Sequence, residues 1–179
     1  VEVNTSHQEV SGVVTTKQIT ELPTLTRNPY ALVQLSGNVA YDPNGSTSSG
    51  TGDGVGYSIN GARAASTNIL LDGADNNNTF AAKVGQTVPL DSVQEFRVIT
   101  SNFSAEYGRA SGGIVNVATK AGSNEFHGSA FEFNRVSALA SSSFNDNAQG
   151  LPKGVFTRNQ FGYSLGGPVL KNKLFFFNS

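Results

Sequence analysis

Apolar residues in this chain come in short runs, separated by polar stretches rich in Gly, Asn and Ser. The pattern is densest from Asp91 to Lys120 (DSVQEFRVITSNFSAEYGRASGGIVNVATK). Val93, Phe96, Val98 and Ile99 make one apolar segment, and Ile114, Val115, Val117 and Ala118 a second. Their β-branched content predicts two strands. Between them lie Tyr107-Gly108 and Ala110-Ser111-Gly112-Gly113. Two glycines entering a β-branched run predict a sharp turn or a close backbone approach.

Upstream, the first fifteen residues mix β-branched and polar types and predict extended chain. Thr15 to Pro23 predicts a short helix, capped by Thr15, with Ile19 and Leu22 three apart and Pro23 as its stop. Asn28-Pro29 opens a second helix that Gly37 ends. Asp42 to Gly56 is a polar Gly/Ser-rich loop. Tyr57 to Gly61 alternates as a strand does, Ala62 to Ser66 is a turn, and Asn68 to Leu71 is a brief strand closed by the turn pair Asp72-Gly73. Ala74 to Gln86 is expected to be loop, and Pro89-Leu90 a helical turn.

After Gly122 the pattern changes. Glu125 to Arg135 holds Phe131 and Phe133 on one parity, with Gly128, Ala130, Glu132 and Asn134 on the other. A polar loop is expected from Val136 to Asn159. Gln160 to Leu170 holds Phe161, Tyr163 and Leu165 on one parity against Gly162, Ser164 and Gly166. Lys171-Asn172-Lys173 is a tight turn, and an aromatic strand follows from Leu174. Strands of about ten residues, with long and short connections in turn, fit an outer-membrane barrel. Alternation alone fits the meander of a soluble sandwich equally well.

Composition narrows this picture. Charged residues are 14%, against about 25% in an average soluble domain. The net charge is -1 over 179 residues, which excludes an electrostatic case for nucleic acid. Cysteine is absent, so there is no disulfide framework and no thiolate metal site. No apolar run approaches 18 residues, which excludes a membrane-spanning helix but not barrel strands. The chain begins at Val1, and we read it as an internal or processed piece of a longer protein.

Candidate chemistry is sparse. Gly162-Tyr163-Ser164-Leu165-Gly166 matches G-x-S-x-G, but no helix pattern and no His follow, so we expect no enzyme. Gly50 to Gly56 lacks the Gly-Lys-Ser/Thr ending of a phosphate loop. Asp72 to Asn78 gathers oxygen ligands off the EF-hand spacing, which leaves turn chemistry or a Ca²⁺ site shared with other loops. His7 and His127 form no ligand-spaced pair, and no cofactor is expected. Glu95, Arg97, Glu106 and Arg109 are expected either to form an ion-pair network or to be solvated charges.

Several stretches together resemble the plug domain of TonB-dependent outer-membrane transporters, and within it the Oar-like subgroup. They are Gln18 to Pro23, Tyr57 to Arg63, Asn68 to Gly73, Tyr107-Gly108, Gly112 to Val117 and Thr119-Lys120. Thr100-Ser101-Asn102 stands where many transporters carry Arg-Gly-Pro, a departure typical of that subgroup. Gly166-Gly167-Pro168 with Lys173 to Phe177 resembles its second and third barrel strands. The resemblance implies an α+β plug over residues 1–122, a small mixed sheet with short helices and long loops. Residues 123–179 would be the first antiparallel strands of a transmembrane β-barrel. It implies an outer-membrane location, a TonB–ExbB–ExbD energising partner, and an extracellular substrate that is a carbohydrate polymer, peptide or protein.

Site expectations follow from that resemblance. Asn44, Asp53, Tyr57, Asp75, Asn76 and Asn77 would touch substrate from the loops 38–56 and 73–86. Glu95, Arg97, Glu106, Arg109, Gly112 and Gly113 would pack the plug against the barrel wall. Phe131, Phe133, Phe161 and Tyr163 would face lipid. The alternative reading is a soluble β-rich module that binds carbohydrate or protein.

Overall fold

The structure is a computed structural model, and it describes residues 9–24, 27–42, 56–80, 82–142 and 144–179. The chain divides into two compact units, Val1–Lys120 and Ala121–Ser179. In the first, β1 (Val10–Val14) leads into the helix α1 (Thr16–Glu21). The Thr15 amide donates to the Gln18 side chain at 3.0 Å, which satisfies one free N–H at the helix start. Asn28 caps the next segment, Pro29–Leu35, by accepting from the Tyr30 amide at 3.0 Å. This second helix is 3-10 rather than α, and it stops at Ser36, one residue short of Gly37.

β2 (Val39–Asp42) pairs antiparallel with β3 (Gly56–Ile59), so the Gly/Ser-rich stretch expected between them falls on residues 43–55, outside the described residues. β4 (Thr67–Leu71) is followed by β5 (Ala74–Asp75), β6 (Asn77–Asn78) and β7 (Lys83–Val84). The segment 74–86 is therefore not a plain loop: it carries two-residue strands that hydrophobic alternation cannot announce. β8 (Val93–Ser101) and β9 (Gly113–Thr119) are the two strands of the densest apolar pattern.

The main sheet has the order β1-β8-β9-β4-β5. β4 and β9 run parallel and the other pairs antiparallel. It is thus a small mixed sheet, as expected. Alternation along each strand splits its apolar residues between two faces. Phe96, Val98, Val115, Val117 and Ile69 join Ile19, Tyr30, Val33, Tyr57 and Ile59 in the larger core. Ile99, Ile114 and Leu70 point the other way, covered by Phe103, Tyr107 and Ala110 from the β8–β9 connection. Burial on both faces explains why Val98-Ile99, Ile114-Val115 and Ile69-Leu70 read as unbroken apolar pairs.

That connection is tied down at its end. The Ser111 and Gly112 amides both donate to the Ser66 carbonyl, at 3.1 and 3.0 Å. The close approach expected at the glycine pair is made within this unit. A Cβ at Gly113 would come 2.7 Å from the Ile59 side chain, and one at Gly112 would come 3.0 Å from Ala62.

The second unit holds β10 (His127–Val136), β11 (Thr157–Leu170) and β12 (Leu174–Asn178) in one antiparallel sheet. The long connection is not wholly irregular, since it includes a 3-10 turn at Ser137–Leu139 and the helix α2 (Phe144–Ala148). β11 also begins three residues earlier than its alternation suggested. Opposite residues in an antiparallel ladder share a face. Phe131 pairs with Gly162 and Phe133 with Gln160, whereas Phe161 pairs with Glu132 and Tyr163 with Ala130. The four aromatics therefore do not lie on one face, so they cannot all face lipid. Phe131 and Phe133 share theirs with Phe175 and Phe177, which stand opposite Pro168 and Gly166. Sequence parity defines a face only within a strand, and the register between strands comes from the ladder.

Candidate functional site

The polar groups of the first unit converge on the segment after β4. Asp72 and Gly73 have φ of 50° and 82°, and they join Leu71 to Ala74 as a two-residue hairpin turn. The Asp72 carboxylate accepts from the Thr119 amide at 2.8 Å and from its hydroxyl at 2.7 Å. This pins the turn to the end of β9. It also engages both Asp72 oxygens, and among the described residues no group of three or more His, Asp or Glu side chains lies together to hold a metal.

Asn76 is buried and bonded on every side. Its amide nitrogen donates to the Tyr30 hydroxyl at 3.0 Å and the Gln86 carbonyl at 2.9 Å, and its oxygen accepts from the Gln86 amide at 2.8 Å. Tyr57 is fully buried and donates its hydroxyl to the Tyr30 carbonyl. Burial pushes the Tyr30 hydroxyl up to about 12, so it stays a neutral donor and acceptor at any physiological pH. Tyr57 and Asn76, expected from sequence to meet substrate, are interior groups in this unit. Both are polar residues beside loops, and their types alone do not distinguish a ligand contact from a core hydrogen bond.

Replacing Asn76 by Ala is expected to leave the Tyr30 hydroxyl and both Gln86 backbone groups short of partners, at a cost of about 1–3 kcal/mol. Hydrogen exchange at the Gly85 and Gln86 amides should speed up in the full-length protein. Unchanged exchange there would refute the role.

Asn77 faces the other way. Its oxygen accepts from the Ile69 amide at 3.0 Å, and its nitrogen donates to Asn68 and Asp75, both at 2.6 Å. Asn68 in turn donates to the Tyr107 carbonyl at 2.9 Å. Asp75 is held below the usual carboxylate range by the Asn77 side chain first, then the Asn77 amide, with the Arg109 charge a smaller contribution. A cleft of 120 Å³ opens over this asparagine ladder, walled by Thr67, Asn68, Asn77, Thr79, Lys83 and Arg109. Sequence reasoning singled out Asp75, Asn77 and Arg109 but missed Lys83, Asn68 and Thr79. Asn44 and Asp53 lie outside the described residues.

The four charges, expected either as an ion-pair network or as solvated charges, are not brought together. Arg97 pairs with Glu9 at 2.6 Å, and Arg109 with Asp75 at 3.3 Å. Glu95 and Glu106 are exposed, while Gly112 and Gly113 are buried. The G-x-S-x-G stretch lies inside the continuous strand β11, and its Ser164 hydroxyl is 2.9 Å from that of Ser129. A nucleophile elbow needs a strand-to-helix turn at that point.

Comparison with known proteins agrees with this architecture. The profile of the TonB-dependent Receptor Plug Domain matches residues 3–114, and that of an outer membrane beta barrel domain matches residues 118–179. The TonB-dependent transporter Oar of Myxococcus xanthus is 34% identical over 131 residues, covering 70% of this chain and 12% of its own length. A probable TonB-dependent siderophore receptor, PirA of Acinetobacter baumannii, is 29% identical over 154 residues, covering 79% of this chain and 18% of its own. The solved structure of the siderophore receptor PirA from A. baumannii superposes with a TM-score of 0.67 at 24% identity, covering 90% of this chain and 22% of that one. The ferric enterobactin receptor PfeA of Pseudomonas aeruginosa gives 0.64 at 22% identity, covering 90% and 22%. The chain therefore spans less than a fifth of the curated relatives' length. The plug match, the barrel match and the fold place it in the outer membrane, and the chain belongs to the TonB-dependent receptor plug-domain family, continued by the opening strands of the barrel.

Proposed function

We propose that this chain is the gating plug, residues 1–122, and the barrel start, residues 123–179, of an outer-membrane active transporter. It takes substrate at its outward loops and opens when TonB, energised with ExbB–ExbD, draws on the segment ahead of β1. The observation that carries this reading is the place of β1. Among the described residues it is the first strand, it lies at the edge of the main sheet, and its ladder partner is β8. Pulled from Glu9, the antiparallel ladder of Val10–Val14 opens pair by pair, so the resisting force is that of one pair at a time. The Glu9–Arg97 ion pair stands first in that path, with Glu9 only 12% exposed. The larger core does not depend on this strand beyond Val14.

A cysteine pair at Val13 and Arg97, which stand opposite each other, tests the reading. This stretch has no native cysteine to compete. Oxidation should lock β1 to β8 and abolish rescue of a deletion strain on medium where growth needs the transporter, and reductant should restore it. Rescue that ignores the oxidation state would sink the mechanism.

The substrate is a carbohydrate polymer, a peptide or an exported protein. Thr100-Ser101-Asn102 and the similarity to Oar support this choice over a siderophore, although the names of other relatives refer to siderophores. The contact surface is the 73–86 segment, where Asn77 floors the cleft over β4 and Asp75 stands at its rim beside Arg109, together with Asn44 and Asp53 in the 38–56 segment. Of the residues proposed to meet the barrel wall, Glu95 and Glu106 are the outward ones, whereas Arg109 lines the cleft over β4.

In the barrel strands, the proposed orientation rests on Glu132, since Arg135 and Arg158 on the Phe131 face pair at the end of the β10–β11 ladder, where long cations reach the interface. Glu132 stands near the middle of β10. A carboxylate at mid-membrane is costly against hydrocarbon and suits the lumen. Glu132 takes Phe161 with it, while Asn134 and Asn159 pair on the same face. Phe131, Phe133, Phe175 and Phe177 are then the lipid face, and Phe161 and Tyr163 turn to the lumen.

A further inference from the structure

We propose that the cleft over β4 is a subsite for a carboxylate group of the transported ligand, held between Lys83 and Arg109. The inference rests on the reading of the 73–86 segment as substrate-contacting. The floor of the cleft is already built and has little to offer a ligand. Asn77 is engaged through both amide atoms, Asn68 bonds Asn77 and Tyr107, and the Thr67 hydroxyl donates to the Tyr57 carbonyl at 2.9 Å. Such a floor is preorganised, so little ordering cost falls on the ligand.

The uncommitted chemistry is cationic. Lys83 is half-buried and has no carboxylate within salt-bridge distance among the described residues. Among the described residues Arg109 holds only Asp75, through one nitrogen at 3.3 Å, with side chains 68% and 53% exposed. A pair so open to water is worth little, and the guanidinium keeps other N–H groups free. Asp75 loses little when Arg109 turns away, because Asn77 bonds it twice, at 2.6 and 2.9 Å. Asp75 is thus a resident carboxylate that an incoming one can displace.

The backbone adds an independent indication. Arg109 and Ala82, both on the cleft wall, have φ of 24° and 51°. Glycine would hold those conformations without strain, yet position 109 carries a long cation aimed at this rim. The volume of 120 Å³ suits a single terminal group rather than a whole polymer. Phe80, 80% exposed on the turn beside Thr79, offers an apolar surface for whatever carries the carboxylate.

The test uses the full-length transporter in detergent and saturation-transfer NMR with N-acetylglycine against its neutral isostere, N-acetylglycinamide. The acid should bind about tenfold more tightly than the amide, and the double variant Lys83→Met/Arg109→Gln should erase the preference. Asp75→Asn removes the resident competitor and should tighten the acid by about two- to fivefold, a gain that misfolding cannot produce. Equal binding of acid and amide, a preference that survives the double variant, or weaker binding in Asp75→Asn would each overturn the subsite. TonB dependence of growth is scored in parallel. Growth that needs TonB in a protein without carboxylate preference overturns the subsite alone, whereas growth without TonB overturns the proposed function and leaves the binding result standing.

Discussion

Phe96→Ala should lower the stability of the first unit by about 3–5 kcal/mol, the largest effect expected of any single change in it. Phe96 is fully buried in the middle of β8 and belongs to the larger core. Its ring meets Tyr30 edge-on, with centroids 5.8 Å apart at 72°, an arrangement worth about 0.5–1.5 kcal/mol beyond the area it buries. Truncation removes the ring and leaves a cavity between the sheet and the 29–35 segment. A fluorophore on a cysteine placed at the exposed Lys17 of the full-length protein would report urea unfolding of this unit. With a slope of about 2 kcal/mol per molar, the midpoint should fall by about 2 M. A fall of under about 0.5 M would mean that the core collapses around the gap or that the barrel holds the plug together without it.

The second large effect separates the two faces of the barrel strands. Phe131→Arg should cost about 2–4 kcal/mol if that face meets hydrocarbon near the midplane. Its ring lies over Gly162, where a Cβ would come within 2.7 Å of it, and it meets the Phe133 ring at a tilt of 40° with centroids 5.8 Å apart. Arginine loses that cover as well as placing a charge in lipid. Phe161→Arg, on the opposite face beside Glu132, should be far milder, because the new cation has a carboxylate partner directly across the ladder. The heat-modifiable, folded barrel band of each variant gives the comparison. A stronger loss for Phe161→Arg would reverse the proposed orientation, and equal losses would mean that neither face is set by lipid alone.

Much of the plug was readable in advance. Val93, Phe96, Val98 and Ile114 to Val117 announced the central strands because β-branched and aromatic runs have few other stable outcomes. Thr15 and Pro23 bounded α1 through local capping and the missing amide of proline. Asp72-Gly73 announced its turn, though not the strand that follows, because few dipeptides tolerate two positive φ angles. The strands at 74–84 were not readable. They are two residues long and held by asparagine side chains, and such bonds follow no period along the chain. Tyr57 and Asn76 were assigned to a ligand for the same reason: a polar side chain does not declare whether its partner is solvent, substrate or a tyrosine 46 residues away.

Local rules act over a few residues, so the sequence alone determined the strands, the capped helix, the turn pairs and the family to which they add up. Pairings between distant segments are chosen by the whole fold, because each one is stable only when the others have formed. That is why only the tertiary structure joined Arg97 to Glu9 and Arg109 to Asp75, and set Lys83 beside an asparagine floor. By the same logic the ladder register, which no single strand contains, put Phe131 and Phe161 on opposite faces of one sheet.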